Sequence, residues 1–422
     1  MRVRFYNGFI CTMAGAVEAI EAELWTENDI VAYVGPPRPN APAFDREIDL
    51  DGNLLLPGFK NAHSHSAMTF LRSRADDLPL LDWLGKCVFP MEAKLTQEQA
   101  YVFNVLAIME YLTSGITAAM DMYFTPEALA KATVDTGFRS VLVGAVNNHS
   151  SSVEAMEQDY LRFNAYHSRV SAVMGFHAEY TCTEDLLRAV AQVAARHKAP
   201  VFAHNSESAA ETADCLARTG QTPTAYLDSL GLFAYGGGGY HCVHLTEADM
   251  DIFYRRGLYA VTNPAANCKL ASGIAPVTAM LAKGIPVALG TDGPAGNNSL
   301  DMFREMFLVT ALQKISRQDA AALKPGEVLT MATRTSAAAM GLTDCDCLAA
   351  GKQADLIVID MHQPNMQPVN NRLGNLVYAG SKQNVKLTMI QGKILYEDGV
   401  FHIGVDPREV YAEANAMLAS MG

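Results

Sequence analysis

The middle of this chain alternates short apolar runs with longer stretches of helical periodicity, and this repeat limits the folds open to it. About eight runs are present, at 54–65, 116–123, 140–146, 171–178, 200–206, 239–245, 258–264 and 286–293. Segments such as QEQAYVFNVLAIMEYLTSG and TEDLLRAVAQVAARHKA lie between them and predict helices. Eight strand–helix units over roughly 240 residues match a (β/α)8 TIM barrel. A doubly wound open sheet is the alternative, but no G-x-G-x-x-G opens the first helix.

The two ends of the chain differ in texture from the middle. Residues 1–56 contain short β-type runs divided by Gly, Pro and Asn, and residues 349–422 contain similar runs, such as ADLIVIDM. We therefore predict that the two ends combine into one small β-sandwich, with a closing helix in the C-terminal part. This sandwich would lie beside the barrel formed by residues 57–348.

Composition favours a large buried core and a small-molecule substrate. Hydrophobic residues make up 50% of the chain and charged residues only 18%. Lys and Arg number 32 and Asp and Glu 45, and the net charge of −13 argues against a nucleic-acid polymer as partner. No apolar run is long enough to span a membrane, the N-terminus does not resemble a signal peptide, and the eight cysteines have no disulfide-framework spacing. These features predict a cytoplasmic enzyme without a membrane partner.

Polar residues gather at the C-terminal ends of the predicted strands, where barrel enzymes place their active sites. They are His63 and His65 in the first run, His204 and Glu207 at the fifth, His241 in the sixth and Asp292 at the eighth. Alternate residues of a strand face the same way, so the H-x-H pair points together into the barrel mouth. Each motif alone is more often structural, because T-D-G, for example, commonly forms a turn. Their joint occurrence at these strand ends predicts a metal site.

Three imidazoles and one carboxylate suit a divalent transition metal, and we assign His63, His65, His204 and Asp292 as its ligands. Such a metal lowers the pKa of a bound water towards ~7. Glu207, three residues after a ligand, is expected to carry protons between that water and a substrate nitrogen. The role of His241 stays open between a second base, a donor to the bound hydroxide and a fourth nitrogen ligand.

Several segments resemble the amidohydrolase superfamily over nearly the whole chain. They are LLLPGFKNAHSHSAMTFLR, HNSE, YHCVHL, NPAANCKLASGIAPV, LGTDGPAGNNSLDMF and GKQADLIVID. Within the superfamily they are most similar to the S-adenosylhomocysteine/methylthioadenosine deaminase branch, which is related to the triazine chlorohydrolases. The resemblance implies one Zn(II) per subunit on the four ligands named above, with Fe(II) or another divalent ion as the alternative. It also implies Glu207, His241 and Asp292 as the proton-handling residues, and a homodimer or higher homo-oligomer.

The same resemblance implies a substrate pocket. Trp83 lies where the family places an aromatic platform for a purine, Glu92 matches a carboxylate that accepts ribose hydroxyls, and His177 faces the sugar. Their plain alternatives are a core tryptophan, an exposed helix-start acid and a structural histidine. The chain departs from the family at Gly296, where serine is common, and at Glu179, where proline is usual. The loop AVNNHSSSV also lacks the arginines with which relatives bind the homocysteine carboxylate, which favours an uncharged nucleoside over S-adenosylhomocysteine.

These residues together predict hydrolytic deamination of a 6-aminopurine nucleoside, adenosine or 5′-methylthioadenosine, with release of ammonia. An alternative keeps the metal chemistry but acts on a free base, a pterin or an s-triazine, with loss of amine or halide. A third hypothesis is a metal-stabilised subunit without catalysis. The presence of both Glu207 and His241 argues against this third hypothesis.

Overall fold

The chain begins with five strands of a sheet that is built from both of its ends. The computed structural model describes residues 1–74, 76–78 and 80–421. Strands β1 (Arg2–Ile10), β2 (Ile20–Glu27) and β3 (Ile30–Gly35) pair antiparallel in order, while β4 (Arg46–Asp49) and β5 (Leu54–Pro57) pair parallel with β1. From β5 the chain passes through Gly58 directly into a second sheet.

Eight parallel strands form this second sheet and close it into a barrel. They are β6 (Phe59–Ser64), β7 (Ile116–Met122), β8 (Ser140–Val143), β9 (Val170–Ala178), β10 (Val201–Asn205), β11 (Gly237–His241), β12 (Tyr259–Thr262) and β13 (Val287–Leu289). Each strand lies beside the next in chain order, and beyond β13 the Asp292 N–H donates to the His63 carbonyl oxygen at 3.0 Å. The predicted (β/α)8 TIM barrel is confirmed.

Helices connect the barrel strands and cover their outer face. They are α1 (Leu80–Trp83), α2 (Phe89–Glu92), α3 (Gln97–Thr113), α4 (Pro126–Thr136), α5 (Val153–Phe163), α6 (Glu184–His197), α7 (Ala209–Thr219), α8 (Pro223–Ser229), α9 (Glu247–Arg256), α10 (Pro264–Lys269), α11 (Val277–Ala282), α12 (Met302–Arg317), α13 (Pro325–Thr330) and α14 (Ser336–Ala339). Short 3₁₀ turns lie at Ser66–Leu71, Glu179–Thr181 and Thr343–Cys345, and π-type turns at Leu84–Val88 and Met331–Thr335. Because helices cover them, the strands are buried along nearly their whole length.

The two helices expected from periodicity are present as α3 and α6. Capping boxes at Thr96, Ser208 and Thr246 start α3, α7 and α9, where the hydroxyl accepts the backbone N–H three residues later. Helix α12 buries Met302 and Met306 against the core. Within the described residues no helix is both long and apolar enough to cross a membrane.

The C-terminal segment returns to the first sheet. It contributes β14 (Leu356–Ile359), β15 (Val385–Ile390), β16 (Lys393–Glu397) and β17 (Val400–Phe401), and its helices are α15 (Arg372–Tyr378) and α16 (Pro407–Ser420), with 3₁₀ turns at Pro364–Met366 and Lys382–Asn384. Strand β14 pairs antiparallel with β5, which joins the two chain ends in one nine-stranded sheet. This sheet has its own apolar cluster, which includes Phe5, Leu24 and Leu356. The predicted association of the two chain ends is therefore confirmed.

Seven of the eight barrel strands end earlier than the apolar runs from which they were predicted, and β9 ends with its run. Strand β10 ends at Asn205 and β13 at Leu289, so Glu207 and Asp292 lie on turns beyond the strands. Asp292 has a φ of +59° there. These turns project both acidic side chains over the mouth of the barrel, where His63 and His65 also end β6.

Candidate active site

Four potential metal ligands converge at the C-terminal mouth of the barrel. The ligand atoms of His63, His65, His204 and Asp292 all lie within 4.8 Å of one another, and among the described residues they form the one group of this kind. Asp292 Oδ1 is 3.5 Å from His63 Nε2 and 3.3 Å from His65 Nε2, and His204 Nε2 is 3.3 Å from His65 Nε2. This nitrogen and oxygen set fits a divalent cation.

The outer nitrogens of two of these imidazoles are held by backbone carbonyls. His65 Nδ1 lies 2.6 Å from the Met122 carbonyl oxygen, and His204 Nδ1 lies 2.7 Å from the His177 carbonyl oxygen. A ring nitrogen facing a carbonyl must carry the proton, which leaves Nε2 as a lone-pair donor towards the centre of the group. Strand β7 and strand β9 therefore orient the ligands that β6 and β10 supply.

His63 gives an independent test of whether the group fits a cation. Its side chain is fully buried, and neither ring nitrogen has a hydrogen-bond partner. A buried polar group is normally hydrogen-bonded or bound to a metal, because leaving it unpaired has a free-energy cost. A cation among the four ligands would satisfy its Nε2 atom, so the residues present fit such an ion.

Burial and the Asp292 carboxylate determine the charges in this group. Burial lowers the pKa of His63 to about 3 and lowers that of His204 well below its usual value, so both imidazoles are neutral, as metal ligands must be. Burial opposes charge on Asp292 as well, but its close contacts with the imidazoles of His63 and His65 dominate and hold its pKa well below the usual value. The same contact outweighs burial at His65 and raises the pKa of that imidazole to about 9.

Two glycines allow the ligand-bearing segments to approach one another. A Cβ atom at Gly290 would lie 2.8 Å from the His63 Cβ and 2.4 Å from the Asn263 Oδ1. At Gly293 it would lie 2.9 Å from the His65 Cβ. Any larger residue at Gly290 or Gly293 would push Asp292 away from the imidazoles.

Glu207 and His241 lie next to the four ligands but are not members of the group. Both side chains are almost completely buried, and His241 Nε2 is 3.8 Å from Glu207 Oε2. Burial raises the pKa of Glu207, which favours its protonated form, while His241 partly opposes this shift. His241 Nδ1 lies 2.8 Å from Asn267 Oδ1, so Nδ1 carries a proton and Nε2 faces the site as an acceptor.

These residues form the floor of a cavity of about 560 Å³. Its walls include an apolar set, Met68, Trp83, Leu84, Val88, Phe89, Phe124 and Tyr180, and a polar loop, Asn147, Asn148, His149 and Ser150. The described lining residues include three acids, Glu92, Glu207 and Asp292, and no lysine or arginine. The cavity can therefore enclose an apolar ligand of nucleoside size but offers no cation to a carboxylate.

Sequence comparison assigns the family. The Amidohydrolase family profile matches residues 54–395, which include every residue of the cavity floor. The chain belongs to the amidohydrolase family. It is 37% identical over 419 residues to a 5-methylthioadenosine/S-adenosylhomocysteine deaminase of Desulforamulus reducens, covering 97% of each chain. A protein of the same name from Desulfovibrio desulfuricans is 41% identical over 393 residues, covering 90% of this chain and 88% of the relative.

Two solved structures are similar to this amidohydrolase over almost their whole length. An adenosine deaminase from Xanthomonas campestris with bound zinc superposes with a TM-score of 0.94 at 30% identity, covering 99% of this chain and 98% of the other. An atrazine chlorohydrolase from Arthrobacter aurescens complexed with zinc has a TM-score of 0.90 at 21% identity, covering 99% and 100%. The second likeness extends to the fold alone. The resemblance predicted from the sequence motifs is confirmed.

The three residues predicted for the substrate pocket of this amidohydrolase all line the cavity. Trp83 is 6% exposed, and its indole N–H has no partner. Burial raises the pKa of Glu92, and the neighbouring Tyr123 hydroxyl partly opposes that shift. The His177 ring centre lies 4.7 Å from that of His204, and its Nδ1 is 3.0 Å from the Thr181 hydroxyl.

The family departures have separate structural explanations. Gly296 lines the cavity, and a Cβ there would lie 3.0 Å from Asp292 Oδ2. Glu179 is buried away from the cavity and accepts two hydrogen bonds from Arg218 Nη2, at 2.7 and 2.9 Å. Its charge is thus compensated by a helix residue rather than by a ligand.

Three further residues of the site were not identified from the sequence. Asn267 is the partner of His241, Tyr123 lies beside Glu92, and Glu211 bonds to the backbone around Glu207. Only Glu211 had a local signal, because S-x-x-E at Ser208 is a capping-box pattern. The other two contacts each join a helix residue, Asn267 of α10 or Glu92 of α2, to the region of a strand end, and they have no sequence pattern of their own.

Proposed function

We propose that this amidohydrolase hydrolyses the 6-amino group of purine nucleosides and releases ammonia, with Zn(II) held by His63, His65, His204 and Asp292. The convergence of these four ligand atoms on the floor of an enclosed cavity, beside a buried glutamic acid, is the observation that carries the proposal. The deaminase names of the relatives and the zinc in the structural neighbours support it.

Glu207 is the proposed proton donor to the substrate. A divalent ion, when bound, supplies the Lewis acidity that makes water a nucleophile at neutral pH. Because burial raises its pKa, the Glu207 carboxyl can hold a proton and donate it to the ring nitrogen next to the amino-bearing carbon. Protonation there makes this carbon more electrophilic and allows attack and the later loss of ammonia.

His241 and Asp292 are the proposed acceptors of the proton that the attacking water loses. The Asn267 contact leaves His241 Nε2 with a lone pair that faces the site. Asp292 stays ionised because two imidazoles contact its carboxylate. The pair thus provides two buried acceptors close to the same position, and His241 Nε2 lies 3.8 Å from Glu207 Oε2.

Trp83, Glu92 and His177 are the proposed contacts to the nucleoside. The indole of Trp83 offers both an aromatic face and a free N–H donor to a purine. Glu92 would accept the ribose hydroxyls, and His177 would contact the sugar from the opposite wall. No described lining residue is a lysine or arginine, so the carboxylate of S-adenosylhomocysteine would lack such a partner and be buried at a free-energy cost. Adenosine and 5′-methylthioadenosine are therefore the preferred substrates.

Ammonia release from a substrate panel tests this proposal, with zinc content measured on the same preparation. Adenosine and 5′-methylthioadenosine should be turned over, and S-adenosylhomocysteine should have a lower kcat/KM. Activity confined to adenine, pterins or s-triazines would replace the nucleoside proposal with the free-heterocycle alternative. Absence of ammonia, amine and halide release from zinc-loaded protein would contradict both.

We also propose that the protein is a cytoplasmic homodimer or higher homo-oligomer. Its domains are proposed to divide at residues 56/57 and 348/349. Phe307 and Ile315 on α12 are 47% and 72% exposed, which provides an apolar surface for a second copy. Sedimentation equilibrium of the protein and of a Phe307→Ser/Ile315→Ser variant tests the assembly. A monomeric wild-type protein would contradict it.

A further inference from the structure

A buried carboxylate lies directly behind the turn that carries Glu207. Glu211, in the first turn of α7, is 5% exposed. Its Oε1 accepts the Ser206 N–H at 3.0 Å, and its Oε2 accepts the N–H groups of Glu207 at 2.7 Å and Ser208 at 3.3 Å. One side chain thus bonds three consecutive backbone amides, and the shortest of these bonds is to the Glu207 amide.

Few other contacts hold the turn at residues 206–208 in its conformation. Ser206 has a φ of +52°, in the left-handed region that serine rarely adopts. Ser206 and Glu207 are buried, so water cannot easily replace a lost partner of their amides. On its other side the turn is bonded to the β11 end, because the Ser206 carbonyl oxygen accepts the N–H groups of Val243 and His244. Glu211 is therefore what fixes the α7 side of the turn.

The contact extends beyond helix capping. In a capping box the acid at the third helical position bonds to the N–H of the N-cap residue, which here is Ser208. The helix α9 has such a box, in which Asp249 accepts the Thr246 N–H at 2.9 Å. In α7 the bond to the N-cap is the longest of the three, and the two shorter bonds reach the residues before it.

We infer that Glu211 is a positioning residue that holds the Glu207 backbone, and with it the Glu207 carboxyl, in its place beside the metal ligands. This inference rests on the proposed role of Glu207 as the proton donor. Proton transfer requires heavy atoms within hydrogen-bond reach, and a misplacement of about 1 Å can lower a rate about 10²-fold. Glu211 acts through Glu207 and does not line the cavity.

The variant Glu211→Asp separates positioning from capping. Asp249 demonstrates that aspartate at this helical position reaches the N-cap amide. Aspartate is shorter than glutamate by one methylene, about 1.5 Å, and would not reach the Glu207 amide. We expect E211D to stay folded with wild-type zinc content, a melting temperature lowered because two buried amides lose their partner, a kcat about 10²-fold lower and an unchanged KM. Wild-type kcat in E211D would overturn the inference.

A double-mutant cycle and a matched control complete the test. If Glu211 acts through Glu207, E207Q/E211D should be no slower than E207Q, whereas two independent losses would multiply and overturn the inference. Asp249→Asn removes a buried capping acid away from the cavity, so it should lower the melting temperature and leave kcat unchanged.

Failure of the proposed function is recognised separately. If wild-type protein releases no ammonia from nucleosides, that proposal falls, and a crystal structure of E211D then decides the inference on geometry. A displaced 206–208 turn supports the positioning role, and an unmoved turn overturns it.

Discussion

At the scale of single residues, the burial of Glu207 supports its proposed role as a proton donor. Its raised pKa keeps a proton available in the cavity, and no other described acid of the cavity floor combines that shift with a position beside His241. We expect Glu207→Gln to lower kcat about 10²- to 10⁴-fold, because general acid catalysis contributes about that much. Stopped ammonia assays, with zinc content by mass spectrometry, measure both quantities.

The matched control for this substitution is Glu184→Gln. Glu184 lies in the first turn of α6, is about half exposed and is absent from the cavity lining. Turnover should be unchanged in this variant. Near-normal turnover by zinc-loaded Glu207→Gln protein would remove Glu207 from the mechanism.

The lack of a side chain at Gly290 allows the segments that carry the proposed metal ligands to pack closely. Alanine there would bring a Cβ into contact with His63 and Asn263 and displace the segment that carries Asp292. We expect Gly290→Ala to weaken zinc binding about 10- to 100-fold, as substitutions that disturb ligand orientation do. Competition with a chelator of known affinity measures the change. In Gly15→Ala, where the added methyl meets nothing within 4 Å, zinc affinity should equal that of the wild type; equal affinity of both variants would contradict the packing argument.

At the scale of elements, the loop after β8 sets which substituents the outer cavity accepts. Asn147 Oδ1 accepts the N–H groups of His149 and Ser150, and Asn148 Oδ1 accepts the Thr183 N–H, so the loop is fixed to itself and to the start of α6. His149 lies in the wall of the cavity with its side chain exposed. A change of charge at this residue should therefore alter substrate choice without disturbing the metal ligands.

We expect His149→Arg to raise kcat/KM for S-adenosylhomocysteine relative to 5′-methylthioadenosine by about tenfold, because a hydrogen bond to a charged group contributes about 1.5 kcal/mol or more. Competition between the two nucleosides in one assay measures the ratio directly. His149→Gln, which adds no charge, should leave the ratio as in the wild type. An unchanged ratio in the arginine variant would indicate that the homocysteine group of S-adenosylhomocysteine does not lie beside residue 149.

At the scale of the whole molecule, a buried ion cluster joins the barrel to the sheet of the two chain ends. Asp355, just before β14, accepts from Arg139 Nε at 3.0 Å and lies 3.8 Å from Lys60 Nζ of β6. All three side chains are nearly inaccessible to solvent. Burial would raise the pKa of Asp355, but Arg139 and Lys60 outweigh it and lower that pKa below the usual value.

Asp355→Asn should therefore destabilise the protein by about 3–5 kcal/mol, since it leaves two buried cations without their counter-ion. The wild-type pKa of Asp355 is depressed, so its contribution to stability is complete above the unfolded value of about 4 and is lost as pH falls below it. Thermal melts between pH 3 and 7 should show this acid loss in the wild type and a reduced loss in the variant. Asp251→Asn, which breaks an exposed pair with Lys283, is the control and should melt as the wild type does.

The fold and the family of this protein could be predicted from sequence because both depend on local patterns. A buried parallel strand is visible in the sequence as a short apolar run. Eight such runs that alternate with helical segments predict the barrel. The residues His63, His65, His204 and Asp292 could be placed at one mouth because the ends of parallel strands meet there. Their imidazole and carboxylate donors are groups that divalent transition metals bind, which supports the proposed ligand set.

Tertiary structure alone decided the contacts that join one strand end to another. From the sequence His241 could be a ligand or a base, and the structure places it outside the group of four ligand atoms, with its Nδ1 2.8 Å from Asn267 Oδ1 of α10. Glu211 appeared from sequence to be a helix cap, yet its strongest bond is to the Glu207 amide. Asp355 lies in the GKQADLIVID segment, but its two partners, Lys60 and Arg139, are distant in sequence. These bonds depend on how segments with unrelated sequences pack together in the fold. No local sequence pattern predicts that packing.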